Sequence, residues 1–192
     1  MDEPPPCVFA IEHAEARIDE WLWLEYSHAA QLVERLAFTS VRDAEDRARL
    51  AELAPAHAAP AAEAFHGRRI VVTDPEAPKP LTTEDFDHFD VLVVGGILGV
   101  EEFTGKTGQL ITRPQRLDAR NLGKLQLPID MAVLLANLVR VGAALEDIEL
   151  TNVVEVDLGP GRSVELPYAY PVVEGQVLLT PGLVDYLARK GT

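Results

Sequence analysis

Residues 91–109 read VLVVGGILGVEEFTGKTGQ: an apolar run, a glycine cluster, then Gly105-Lys106-Thr107. Glycines followed by Lys-Thr are the residues of a phosphate loop, where successive backbone amides and one ammonium hold a nucleotide's phosphates. The spacing excludes that chemistry. Five residues separate Gly99 from Gly105, one more than the loop geometry takes. Pro114 then limits any following helix to about two turns. The dinucleotide fingerprint fails as well, because Gly95-Gly96-Ile97-Leu98-Gly99 has the wrong glycine spacing. A tight turn at the end of a buried strand is what remains. At the carboxyl edge of a parallel sheet such turns hold ligands, and glycines let the backbone approach an apolar or aromatic group.

A second loop, residues 121–132 (NLGKLQLPIDMA), carries Leu122, Leu125 and Leu127 into a long apolar helix. Together the two loops are suited to enclosing an adenosine-like ligand through backbone contacts. Asp130 falls in the first helical turn, where exposed amides favour a carboxylate, so capping alone would explain it. Glu25 interrupts an apolar helical stripe of Ile18, Trp21, Leu22, Ala29, Leu32, Val33 and Leu36. Trp21 and Trp23 cannot both face one core from the same helix, which leaves Trp23 for a substrate or a subunit interface. His57 and His66 have no neighbours at metal-ligand spacing and read as surface residues; no metal site is expected.

The elements that must position these residues alternate. Strands are expected over residues 7–11, 38–41, 69–73 and 90–94. Helices are expected over 15–36, 43–63 (broken by Pro55 and Pro60), 128–145 and 181–190, with a helical turn at 81–86 and a hairpin at Gly159-Pro160-Gly161. The runs RIVVT and DVLVV are continuously apolar, the pattern of parallel strands covered on both faces. Strands alternating with helices give an α/β fold with a mostly parallel sheet, and no linker divides residues 1–192.

Composition narrows the class. A 192-residue chain with 47% hydrophobic and 25% charged residues is ordinary for a soluble globular protein. Its apolar runs are too short for a membrane span, and the acidic, Pro-rich start lacks the features of a signal peptide. The lone Cys7 excludes an internal disulfide and suits a reducing cytoplasm. A net charge of −14 repels bare nucleic acid and favours a basic protein partner.

The pair GGILG and NLGKLQLPIDMA resembles the cofactor loops of SPOUT-class methyltransferases. With AIEHAEARIDEWLWLEYSHA, VVTDPEA, the strand around residues 146–150 and ELPYAY, the sequence is similar to a family once described as S-adenosylmethionine-dependent RNA methyltransferases. Eukaryotic members of that family include an arginine methyltransferase acting on a small-subunit ribosomal protein. The resemblance runs over residues 9–189 and is poorest over 42–67.

The resemblance implies a C-terminal deep trefoil knot in which residues 122–127 thread an earlier loop, an exception to the usual rule. It implies S-adenosylmethionine bent between the two loops, held by Gly95, Gly96, Leu98, Gly99, Leu122, Gly123 and Leu127. For an arginine acceptor it implies carboxylates around a guanidinium, drawn from Glu12, Glu20, Glu25 and Asp130, with His13 as a proton acceptor. The substrate it implies is a ribosomal protein. The alternatives are a structured ribosomal or transfer RNA, approached along Arg113, Arg116 and Arg120, and a ribosome-assembly factor that binds the cofactor without turnover. A cytoplasmic homodimer is the usual arrangement of the class.

Overall fold

The computed structural model describes residues 7–98 and 105–190. The apolar runs pair as β1 (Val8–His13), β2 (Leu36–Thr39), β3 (Ile70–Thr73) and β4 (Val91–Gly96), with a short fifth strand, β5 (Asp118–Arg120). The sheet order is β2-β1-β4-β3-β5, and every pairing in it is parallel. Alternate side chains feed opposite faces. Phe9, Ile11, Phe38, Val71, Leu92 and Val94 enter one core; Ala10, Ile70, Val72, Val91 and Val93 enter the other. Burial on both faces is why the strands are apolar throughout.

The helices are α1 (Glu20–Leu32), α2 (Ala44–Leu50), α3 (Ala61–Ala64), α4 (Asp85–His88), α5 (Arg113–Gln115), α6 (Ile129–Arg140) and α7 (Leu183–Lys190). A π-helical stretch, Gly108–Thr112, leads into α5. The first helix starts later than residue 15 because the chain before it is held elsewhere. The Leu98 amide donates to Glu15 and the Ile18 amide donates to Asp46. Asp19 then caps the helix through the Leu22 amide, 2.9 Å away. Residues 55–59 do not continue α2 but run beside β2, where Phe38 N donates to Pro55 O and His57 N to Phe38 O, both at 2.8 Å. The helical path runs on from the π-helical stretch through Pro114 and ends at Gln115, one residue later, as a proline near the end of a helix allows.

The C-terminal part adds β6 (Leu150–Thr151), β7 (Val154–Gly159), β8 (Arg162–Leu166), β9 (Tyr170–Val173) and β10 (Gln176–Val177). β6, β9 and β10 form an antiparallel sheet, and β7 and β8 form the expected hairpin. With α7 they bury Met131, Val156, Leu166, Tyr170 and Leu187 in a third cluster. This corrects the expectation for the tryptophans. The first helix lies between two cores, so Trp23 packs on the sheet cluster and Trp21 on the C-terminal one. Trp23 also carries the Arg49 guanidinium 4.0 Å from its ring centroid.

Gly96 is the tightest point of the sheet's carboxyl edge. A Cβ there would collide with the Tyr26 hydroxyl and stand 2.9 Å from the Glu12 carbonyl oxygen. Gly96→Ala is expected to cost about 1–3 kcal/mol of stability through overpacking, read as a lower midpoint in denaturant titration with unchanged slope.

Candidate active site

β1 runs into α1 and on to β2 on one side of the sheet, whereas β4 leads past β3 to β5 on the other. Adjacent strands that send their chains apart leave a crevice at their carboxyl ends, where open α/β sheets bind ligands. In that crevice His13 pairs in register with Gly96, and the Leu98 amide donates to Glu15 Oε1 at 2.9 Å.

A cavity of about 70 Å³ lies beside the turn. Gly95, Leu122, Gly123 and Leu127 line it together with Thr107 and Ile129, so four residues expected from two distant loops meet there. A Cβ on Gly95 would come 3.3 Å from Thr107 Oγ1. Gly123 has φ +96°, a conformation that L side chains avoid. The apolar loop is fastened at both ends. Asn121 N donates to Lys79 O and Ala169 N donates to Gln126 O, each at 2.8 Å.

The other expected donor contacts stand elsewhere: Gly96 faces Tyr26 and Glu12, and Leu98 packs on the main core. Gly99 lies outside the described residues. Among the described residues the lining holds no charged side chain, so it suits a flat aromatic group and not phosphates. Ligand pockets commonly run to several hundred Å³, and the enclosed space houses only part of a nucleoside.

Lys106 contributes nothing to the cavity, but its neighbour Thr107 does. The segment bearing Thr107 is tied down by Thr112 Oγ1 donating to Asp74 at 2.7 Å and by Arg113 against Glu76 at 3.0 Å. Gly105 and Gly108 allow this closeness, since a Cβ on either would approach Glu76 Oε2 to within 2.9 Å.

A second cavity, of about 400 Å³, adjoins the same turn and is lined by Glu12, His13, Glu15, Ser40 and Ile111 among others. Its carboxylates differ in what they have to offer. Glu12 accepts from Thr39 Oγ1, from the Ala61 amide and Gln115 Nε2 at 2.9 Å, and from Ser40 Oγ at 2.6 Å. Both of its oxygens are filled. Glu15 spends one oxygen on the Leu98 amide, and among the described residues the other makes no hydrogen bond. His13 Nδ1 lies 2.9 Å from the Tyr26 hydroxyl, and burial holds its pKa below the usual value.

The remaining expected carboxylates lie apart from this cavity. Glu20 is exposed and pairs with Arg189. Glu25 and Asp130 are buried between α1 and α6. Glu25 accepts from Trp21 Nε1 at 2.6 Å and from the Ile129 amide at 2.9 Å. Asp130 accepts from Thr180 Oγ1 and sits against His28 Nδ1, each at 2.7 Å. Among the described residues no group of His, Cys, Asp or Glu is placed to hold a metal ion, and no helix is long and apolar enough to cross a membrane.

Known proteins share this fold. Residues 8–192 match the family described as protein arginine N-methyltransferase SFM1-like. The chain belongs to this family. It is 29% identical to the protein arginine N-methyltransferase SFM1 of Saccharomyces cerevisiae over 94% of both chains. It superposes on the yeast arginine methyltransferase SFM1 complexed with SAM with a TM-score of 0.85, at 29% identity, covering 96% of this chain and 91% of the other. The dual specific Trm10 of Thermococcus kodakaraensis shares the fold, with a TM-score of 0.57 at 18% identity over 73% of this chain and 96% of that one.

Two features of this SFM1-like site were hidden in the sequence. Thr107 sits inside a Gly-Lys-Thr whose phosphate meaning fails, and Glu15 is one of several carboxylates in a charged block. Nothing local marks either; register and crevice select them. The arginines suggested for RNA are largely spent, since Arg113 pairs with Glu76 and Arg120 with Asp85.

Burial, and then the neighbouring Asp130 carboxylate, push Glu25 from 4.5 up to about 8. The folded SFM1-like chain thus keeps a proton that the unfolded chain loses. This contribution to stability is complete below pH 4.5 and is lost as pH rises towards 8. The unfolding free energy from denaturant titrations should fall across that window, and Glu25→Gln should flatten the slope.

Proposed function

We propose that this SFM1-like chain methylates an arginine of a basic protein, with a ribosomal protein as the favoured substrate and S-adenosylmethionine as the methyl donor. The observation that carries the reading is the meeting of the glycine turn and the apolar loop around one uncharged cavity, in a chain of this family. When bound, the donor supplies an electrophilic methyl group on a sulfonium. Gly95 and Gly123 let backbone approach its base, Leu122 and Leu127 exclude water, and Thr107 offers a hydroxyl. Placing two reactants in line is the main catalytic task in such a displacement.

Glu15 is the carboxylate suited to the acceptor. It is fixed on the donor turn through Leu98 N and lines the larger cavity, so its remaining oxygen can orient a guanidinium N–H. The acceptor nitrogen forms its bond to the methyl carbon as the carbon–sulfur bond breaks, the electron pair staying on sulfur. The nitrogen gives up one proton, which Glu15 accepts and passes to water. In this scheme Glu12 and Asp130 shape the two cavities from behind, and Glu20 stays on the surface with Arg189. Against RNA stand the net charge of −14 and the paired arginines.

The knot belongs to the same reading. Hydrogen bonds from Asn121 to Ala77 and Lys79, and from Leu81 to Asn121, support a chain that threads the earlier loop at residues 122–127. Contacts of α1 with both α6 and α7 support a single domain. The cytoplasmic setting rests on the lone Cys7 and the resemblance, and the homodimer on the resemblance.

Calorimetry should detect S-adenosylmethionine binding; no heat at millimolar ligand would sink the reading. Labelled methyl groups should enter lysate protein as methylarginine and survive ribonuclease, whereas loss of label with ribonuclease would transfer the substrate to RNA. Glu15→Gln should keep donor affinity within about threefold and lose roughly 10²-fold or more in kcat, the usual worth of a positioned base.

A further inference from the structure

Among the described residues, the one local side-chain bond to the first turn of α6 is Asp130 Oδ1 accepting from the Met131 amide at 3.0 Å, which leaves the Ile129 amide without a local partner. The N-cap of α6 is Pro128, which makes no side-chain bond to the helix, although helix N-termini leave amides in need of partners. The partner comes from 104 residues away: Glu25 Oε2, on α1, accepts from the Ile129 amide at 2.9 Å. Trp21 Nε1, one turn earlier, holds the other oxygen at 2.6 Å. Both carboxylate oxygens are thus fixed, one by α1 itself and one by α6. Leu127, Ile129 and Ala132, which flank this junction, form a wall of the 70 Å³ cavity.

The cap is costly to keep. Glu25 and Asp130 are 3% and 0% exposed, and among their described partners only His28 is basic. Among the described residues the buried Tyr170 hydroxyl has no hydrogen-bond partner, and it lies within electrostatic reach of Glu25 and Asp130. Burying two carboxyl groups, protonated or not, is unfavourable unless they fix something. What Glu25 fixes is the position of the cavity wall.

We propose that Glu25 is a positioning residue for the methyl donor: by capping Ile129 from α1, it holds the start of α6 and the apolar loop before it against the Gly95 turn, so that the donor cavity is formed before anything binds. The assignment rests on the S-adenosylmethionine reading of that cavity. It also separates Glu25 from the acceptor chemistry assigned to Glu15.

Leucine keeps most of the volume but has no acceptor, so Glu25→Leu leaves the Ile129 amide without its cap whichever protonation state Glu25 holds. The dissociation constant for S-adenosylmethionine, measured by calorimetry, should rise about 10-fold, as expected for one buried donor left unpaired. The Ile129 amide should exchange faster with solvent. KM for the protein substrate at saturating donor should stay unchanged. Unchanged donor affinity would overturn the proposal, and so would a rise in acceptor KM with donor affinity intact. If the Leu variant does not fold, Glu25→Met, longer and also without a carboxyl oxygen, makes the same test: donor binding should weaken in the same direction, and unchanged affinity is equally decisive. Failure of the unsubstituted chain to bind S-adenosylmethionine would instead remove the donor reading, and this proposal with it.

Discussion

The parallel pairing of β1 with β4 is the constraint from which the rest of the structure follows. Six residue pairs, from Val8 with Val91 to His13 with Gly96, set two distant segments side by side. The charged block after β1 thereby meets the glycine turn after β4. Because the two strands then send the chain in opposite directions, their ends cannot be covered by one connection, and a crevice stays open. The Glu15 contact to Leu98 and the two cavities that flank the turn all lie at this one place.

The buried polar groups show how much of the molecule is organised around keeping that place in shape. Glu12 is filled by four donors from β2, the residue after it, α3 and α5, so it ties the chain at the back of the larger cavity and has nothing left for a substrate. Glu25 and Asp130 do the same between α1 and α6. Buried carboxylates seldom add stability, and their use here follows from a geometric need: amides at the ends of short elements must be satisfied in a dry interior. The surface is different. Glu20 with Arg189 and Arg69 with Asp90 are exposed pairs of the kind that contribute little.

Much of the fold was readable along the chain. RIVVT and DVLVV announced strands covered on two faces, and the apolar run after Pro128 announced α6. The misses have physical causes. β5 is only Asp118-Ala119-Arg120, without an apolar pattern, and its place comes from its register with β3. Residues 55–59 carry helix-compatible alanines, yet β2 offers open edge bonds, and pairing with them prevails over propensity. Both tryptophans of α1 are packed because the helix has a core on each side, which a one-core argument cannot foresee.

The two cavity loops were more legible than the carboxylates, for the same reason. Glycine and leucine loops act through backbone and shape, which residue type and spacing express directly, and Gly95, Leu122, Gly123 and Leu127, read from two separate loops, line one cavity. Carboxylates act through what surrounds them. By itself the sequence determined the elements, the parallel sheet and the two loops, because periodicity and glycine placement are local properties. Which carboxylate faces a cavity, which caps a distant helix and which only meets solvent was decided by tertiary structure alone, since each depends on donors contributed from parts of the chain as much as 104 residues apart.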